Sequence, residues 1–172
     1  MPTARKWIVA LTWILALPTA ACRSAPPPRA GNQATSDTAF ASMQQRGQMV
    51  MGVDQYASRH VFEDLPDGGR IVLEVDSGSD TAGIARIREH MHAIAADFAQ
   101  GDFSKPFMVH HEQVPGTDVM TARRDLITYE ETDRPRGGEV RIRTTDSAAV
   151  AAVHAFLTFQ RSAHHAAAHE MP

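Results

Sequence analysis

The chain has 172 residues, 43% hydrophobic and 22% charged, a formal net charge of −3 and a single cysteine, Cys22. One cysteine excludes an internal disulfide framework and a Cys-x-x-Cys-His haem attachment. The charges form no concentrated basic face, which argues against nucleic-acid binding, because that needs phosphate neutralisation.

At the N-terminus, Arg5 and Lys6 precede an uncharged apolar run from Trp7 to Leu17, followed by Pro18-Thr19-Ala20-Ala21-Cys22. A spanning helix takes about 20 apolar residues, whereas the apolar region of a signal peptide takes about 7–15. Residues 1–21 therefore read as a signal peptide. The small residues before Cys22 resemble a lipobox, although Pro18 and Thr19 depart from its usual leucine-rich form. The only cysteine falls where lipidation needs it. The expectation is a lipid-anchored bacterial envelope protein, acylated at Cys22 and facing the periplasm; a soluble periplasmic protein is the alternative. Without Arg5 and Lys6, 15 of the 17 basic residues remain against 20 acidic ones, a net charge of −5. Membrane contact is then expected through the lipid and not through a basic helix.

Residues 22–38, with Pro26-Pro27-Pro28, read as a flexible tether. Residues 39–57, which include Met43, Met49 and Met51, read as an arm or a short helix. An α+β domain is expected over residues 58–165. His60 to Leu65 alternates loosely, Pro66-Asp67-Gly68-Gly69 marks a turn, and Ile71, Leu73 and Val75 share one face of a second strand, giving a hairpin. Ser77 to Asp80 offers helix caps. Ile84, Ile87, Met91, Ile94 and Phe98 then recur at helical spacing, and Gly101 ends that helix. Phe103 to about Arg123, with Pro106, Pro115 and Gly116, reads as a long functional loop.

The pattern then repeats. Leu126 to Thr132 and Val140 to Thr144 read as strands around Arg134-Pro135-Arg136-Gly137-Gly138. Asp146 or Thr145 caps a helix bearing Val150, Val153, Phe156, Leu157 and Gln160. Gly68 to Leu73 matches Gly137 to Ile142. Asp80 to Ile84 matches Asp146 to Val150 after a three-residue gap. Two ββα units are expected to form a four-stranded antiparallel sheet with two helices on one face. Residues 166–172 read as a disordered tail.

Gly-x-Ser-x-Gly, a phosphate-binding glycine loop and His-Glu-x-x-His are all missing. Nine histidines stand out instead, and imidazole is the commonest side-chain ligand of zinc and copper. At 100° per residue, His90 and His154 lie on the flanks of their helices' apolar stripes, His92 points outward, and His164 returns to the stripe. If residues 108–112 are extended, Met108, His110 and Glu112 project together. His90, His110 and His154 are then expected to converge as a three-nitrogen metal site, with Met91 and Met108 as thioether ligands. Sulfur with nitrogen favours copper, especially Cu(I), over zinc. For each histidine the plain alternative is a surface or border residue. Glu130-Glu131 and the arginine pairs read as solvated charge.

Residues 56 to about 164 resemble a family of small uncharacterised bacterial α+β proteins. The resemblance rests on His60-Val61-Phe62, Asp67-Gly68-Gly69, Ile87-Arg88-Glu89-His90, Phe98 to Phe103, Val114-Pro115-Gly116, Gly137 to Ile142 and His154 to Gln160. It implies that His60, His90, His110, His154 and His164 are the histidines to follow. Some similar proteins bear the name aspartate carbamoyltransferase, but this chain lacks that enzyme's Ser-Thr-Arg-Thr phosphate loop and its regulatory chain's four zinc-binding cysteines.

The leading expectation is an exported lipoprotein, not an enzyme, that binds a transition metal through histidines. Copper comes first, with zinc or haem as variants. The second is a small-molecule or protein-binding module using the 103–123 loop, with His111 and Glu112 in its contact surface. The third is a small acid–base enzyme using His and Glu of that loop.

Overall fold

The computed structural model describes residues 30–52 and 54–165. The expected signal peptide, Cys22, the first part of the tether and the 166–172 tail lie outside them.

Four strands, β1 (Ser58–Leu65), β2 (Gly68–Val75), β3 (Ile127–Arg134) and β4 (Gly137–Thr144), form one antiparallel sheet in the order β1-β2-β4-β3. Each hairpin is followed by a helix, α2 (Thr81–Ala99) and α5 (Ser147–Ala163). This is the α+β arrangement of two ββα units. The strand registers repeat with a constant offset: Ser58 pairs with Val75 as Ile127 pairs with Thr144, 69 residues later. Ile71 and Val140, equivalent by that offset, pair with each other where β2 meets β4. A local two-fold axis therefore passes between them.

Alternation puts Phe62, Ile71, Leu73, Val140 and Ile142 on the face covered by the helices. They join Ile87, Met91, Phe98, Val153, Phe156 and Leu157 in a single buried core. The other face carries ion pairs, among them Arg70–Glu63, Arg134–Glu139 and Arg59–Glu74.

Each helix lies chiefly over the hairpin of the other unit: α2 over β3 and β4, α5 over β1 and β2. The glycine pairs show how. A Cβ on Gly69 would stand 2.2 Å from Leu157 Cδ1 of α5, and one on Gly138 would stand 3.1 Å from Met91 Cγ of α2. Met91 and Leu157 are themselves equivalent positions, so the same close helix-on-glycine approach occurs twice.

Two segments differ from the sequence expectation. The arm is a 22-residue helix, α1 (Ala30–Met51), which begins inside the stretch read as tether. It buries Met43 and Met51 but leaves Met49 73% exposed. The long loop holds two short helices, α3 (Ser104–His110) and α4 (Thr117–Ala122), then a 3-10 turn at Arg124–Leu126. Pro106 fits because it stands in the first turn of α3, where its missing N–H costs nothing. Gly116, at φ 87, starts α4 where a Cβ would stand 2.2 Å from the Ala152 carbonyl oxygen of α5.

Candidate functional site: a histidine-lined cavity

The helices do not fill the sheet evenly. Between β1, the C-terminal half of α5, α2 and α3 lies a cavity of about 70 Å³, with Val50 and Met51 of α1 also in its wall. Phe62, Leu73, Met91, Phe98 and Phe156 make it apolar. Four imidazoles also line it: His60 from β1, His90 from α2, His110 from the end of α3 and His164 at the C-cap of α5.

Secondary structure explains each placement. His60 alternates with Phe62 on the covered face of β1 and pairs with Leu73 of β2. His90 adjoins Met91, whose side chain is 1% exposed. His164 caps α5 through a backbone N–H to the Gln160 carbonyl. The His60 and His164 rings are stacked with centroids 5.0 Å apart, and His110 meets His164 edge-on at 5.2 Å.

The rings are held neutral. Burial, with the neighbouring His90 adding a little, lowers the His60 pKa to about 4. Burial, then the Lys105 charge, lowers His90 to about 4 against a small opposing effect of Asp97. Burial also lowers His110, with Gln160 opposing. For His164, burial followed by the other imidazoles lowers the value to about 2.

Hydrogen bonds sort the nitrogens. His110 donates Nε2–H to Gln160 Oε1 at 3.0 Å, which leaves its Nδ1 lone pair free of a proton. His60 Nε2 and His164 Nδ1 are buried and have no hydrogen-bond partner among the described residues. Such orphaned polar atoms are uncommon in a packed interior and call for an explanation.

The local symmetry supplies an internal comparison. The 69-residue strand offset carries His60 onto Tyr129, and the 66-residue helix offset carries His164 onto Phe98 and His90 onto Phe156. At that second location the rings pack solidly, Phe98 against Tyr129 and Phe156 at 5.8 Å and against Phe103 at 4.5 Å. The fold thus fills these positions with two phenyl rings and a phenol in one unit and with imidazoles in the other; the Tyr129 hydroxyl, like His60 Nε2 and His164 Nδ1, is buried without a partner among the described residues.

The remaining expected site residues lie elsewhere. His154 does not line the cavity: it donates Nε2–H to the Leu65 carbonyl at 2.9 Å, on the flank of α5 toward the end of β1. The expected convergence of His90, His110 and His154 is therefore corrected, with His60 and His164 in the place given to His154. Residues 108–110 are helical, so His110 turns inward while Met108 is 46% exposed. Met91 lines the cavity and Met108 does not. Met108 and His111 line an open groove of about 550 Å³ between α1 and α3, with Arg46, Met49, Val50 and Lys105. Glu112 is exposed just beyond α3. Gln160, Lys105 and Val50 also line the cavity, and the sequence pattern does not single them out as site residues. Gln160 left a signal, as the polar exception on an apolar helical stripe.

Among the described residues, no three His, Cys, Asp or Glu side chains already stand in an arrangement that would hold a metal ion. The donor set nonetheless suits a particular kind of ion. It is neutral, offers imidazole lone pairs with the Met91 thioether alongside, and includes no carboxylate. A buried charge without a counter-charge is expensive, and more so for a divalent ion. The set therefore fits monovalent copper better than zinc. Among the described residues, no helix is long and apolar enough to cross a membrane.

The architecture and the cavity together define a class by geometry: a doubled ββα domain with a pocket lined by four histidines. Comparisons with family models, curated proteins and solved structures find no match for this chain.

Proposed function

We propose that this domain is the metal-binding part of an exported lipoprotein, anchored through Cys22, and that it holds Cu(I) among His60, His110 and His164 with His90 and Met91 beside them. One observation carries the reading: two buried imidazole nitrogens, His60 Nε2 and His164 Nδ1, lack partners in a cavity shared with two further histidines. Neutral rings compete with no proton for a metal. The His110–Gln160 bond is the outer support that metal-binding histidines commonly have, fixing tautomer and ring direction. Zinc is the second choice for want of a negative ligand. Haem is poorly served, because pockets for molecules of drug size run to about 300–1,000 Å³.

The test is an anaerobic Cu(I) titration of protein prepared without a histidine tag, against a chromogenic chelator. One Cu(I) per chain is expected. The H60A/H110A/H164A variant should lose it and His154→Ala should keep it. Equal copper uptake by the triple variant would overturn the reading. Radiolabelled palmitate incorporation, abolished in Cys22→Ser, tests the anchor independently.

A further inference from the structure

Lys105 of α3 stands at the boundary between the cavity and the open groove; together with Val50 it lines both. Among the described residues it is the only charged side chain on the cavity wall. Its ammonium is bound to the Asp97 carboxylate of α2, and both groups remain about 30% exposed at the surface (28% and 29%). His90, two turns before Asp97 on the same helix, feels both charges, with the ammonium the stronger influence. Lys105 lines the cavity and Asp97 does not, so the pair presents its positive end to the imidazoles.

A field acts on an ion in proportion to the ion's charge. A fixed positive group beside a carboxylate-free cavity opposes any cation, and it opposes a divalent cation twice as strongly. Resting on the metal reading of this same cavity, we propose that Lys105, held in place by Asp97, is the residue that sets charge selectivity, excluding divalent ions and leaving the imidazoles to Cu(I). This is specificity gained by repelling the wrong ligand.

Lys105→Leu keeps an apolar stem, removes the charge and adds no atom that could bind a metal. Because the repulsion is linear in ionic charge, a variant that binds Cu(I) n-fold more tightly should bind Zn(II) about n²-fold more tightly. The expected scale is on the order of tenfold for Cu(I) and a hundredfold for Zn(II). Lys105→Arg, which preserves the charge, should keep the selectivity of the parent. Affinities would be read by chelator competition, anaerobically for Cu(I), with Lys105→Gln as the second variant should the leucine form fail to fold. An equal change for both ions, or no change, would overturn the role of Lys105 while parental Cu(I) binding stood. Absence of Cu(I) binding in the parent protein would remove the cavity reading and this inference with it.

Discussion

His164 ends α5 with its ring against His60 and His110, and nothing in the packing demands an imidazole there, since the equivalent position is Phe98. His164→Phe should therefore abolish Cu(I) binding yet stabilise the metal-free protein by about 1–2 kcal/mol, because an unpartnered buried nitrogen disappears. Calorimetric melting with and without copper measures both effects. A second expectation concerns pH. His60, His90 and His164 hold a proton less readily when folded than when unfolded. The unfolded chain then takes up more protons between pH 6.5 and about 4, so stability falls as the pH drops through that window. Above pH 7 the rings are neutral in both states and contribute no slope. Each histidine can add up to about 1.4 kcal/mol per pH unit. Urea unfolding of the metal-free protein at pH 7.5, 6 and 5 should show the loss, and H60Y/H164F should reduce it to the part that His90 contributes. At this scale the sequence was partly legible. Helical azimuth placed His90 and His154 alike on stripe flanks, but which flank meets a cavity depends on the neighbouring element. For His154 the neighbour is the end of β1, where the Leu65 carbonyl takes its proton.

Both long helices begin on an aspartate. Asp80 accepts from the Gly83 N–H at 2.9 Å, and Asp146 accepts from the Ala149 N–H at 2.8 Å. Asp146 also receives Arg123 Nη1 at 2.8 Å, tying the start of α5 to the end of α4. Asp80→Ala should cost about 1 kcal/mol, as lost caps do. Asp146→Ala should cost more, by up to about another 1 kcal/mol for a partly buried ion pair. Denaturant midpoints of the two variants at pH 7 would rank them; equal loss would show that the Arg123 contact contributes nothing. The strands and the helices α2 and α5 are readable because their periods run for eight residues or more. The seven-residue α3 was not, since two turns containing Pro106 carry too little periodicity to tell from a loop. The same helix decides Met108: extension would put it beside His110, whereas a helix turns the two apart. α1 was ambiguous for a related reason, because its buried residues, Met43, Gln44, Gly47 and Met51, mix polar with apolar.

The molecule as a whole depends on exchange between its halves. With α2 chiefly over the second hairpin and α5 chiefly over the first, neither helix covers most of its own hairpin. Residues 54–101 alone should therefore show no cooperative unfolding and little native circular dichroism, whereas residues 30–165 should unfold in a single transition. A stable, folded half would contradict the helix placement. The doubling was visible in Gly68-Gly69 and Gly137-Gly138, but the crossing of the helices was not, because either placement satisfies the same apolar stripes.

The crossing gives the segment between α2 and β3 a meaning beyond that of a connection. The chain is arranged like two identical subunits that have traded an arm, with residues 102–126 as the hinge that lets the trade close on itself. If that hinge is shortened below the reach it needs, the same contacts form between neighbouring chains, and the protein becomes a domain-swapped dimer with two complete copies of the present interior.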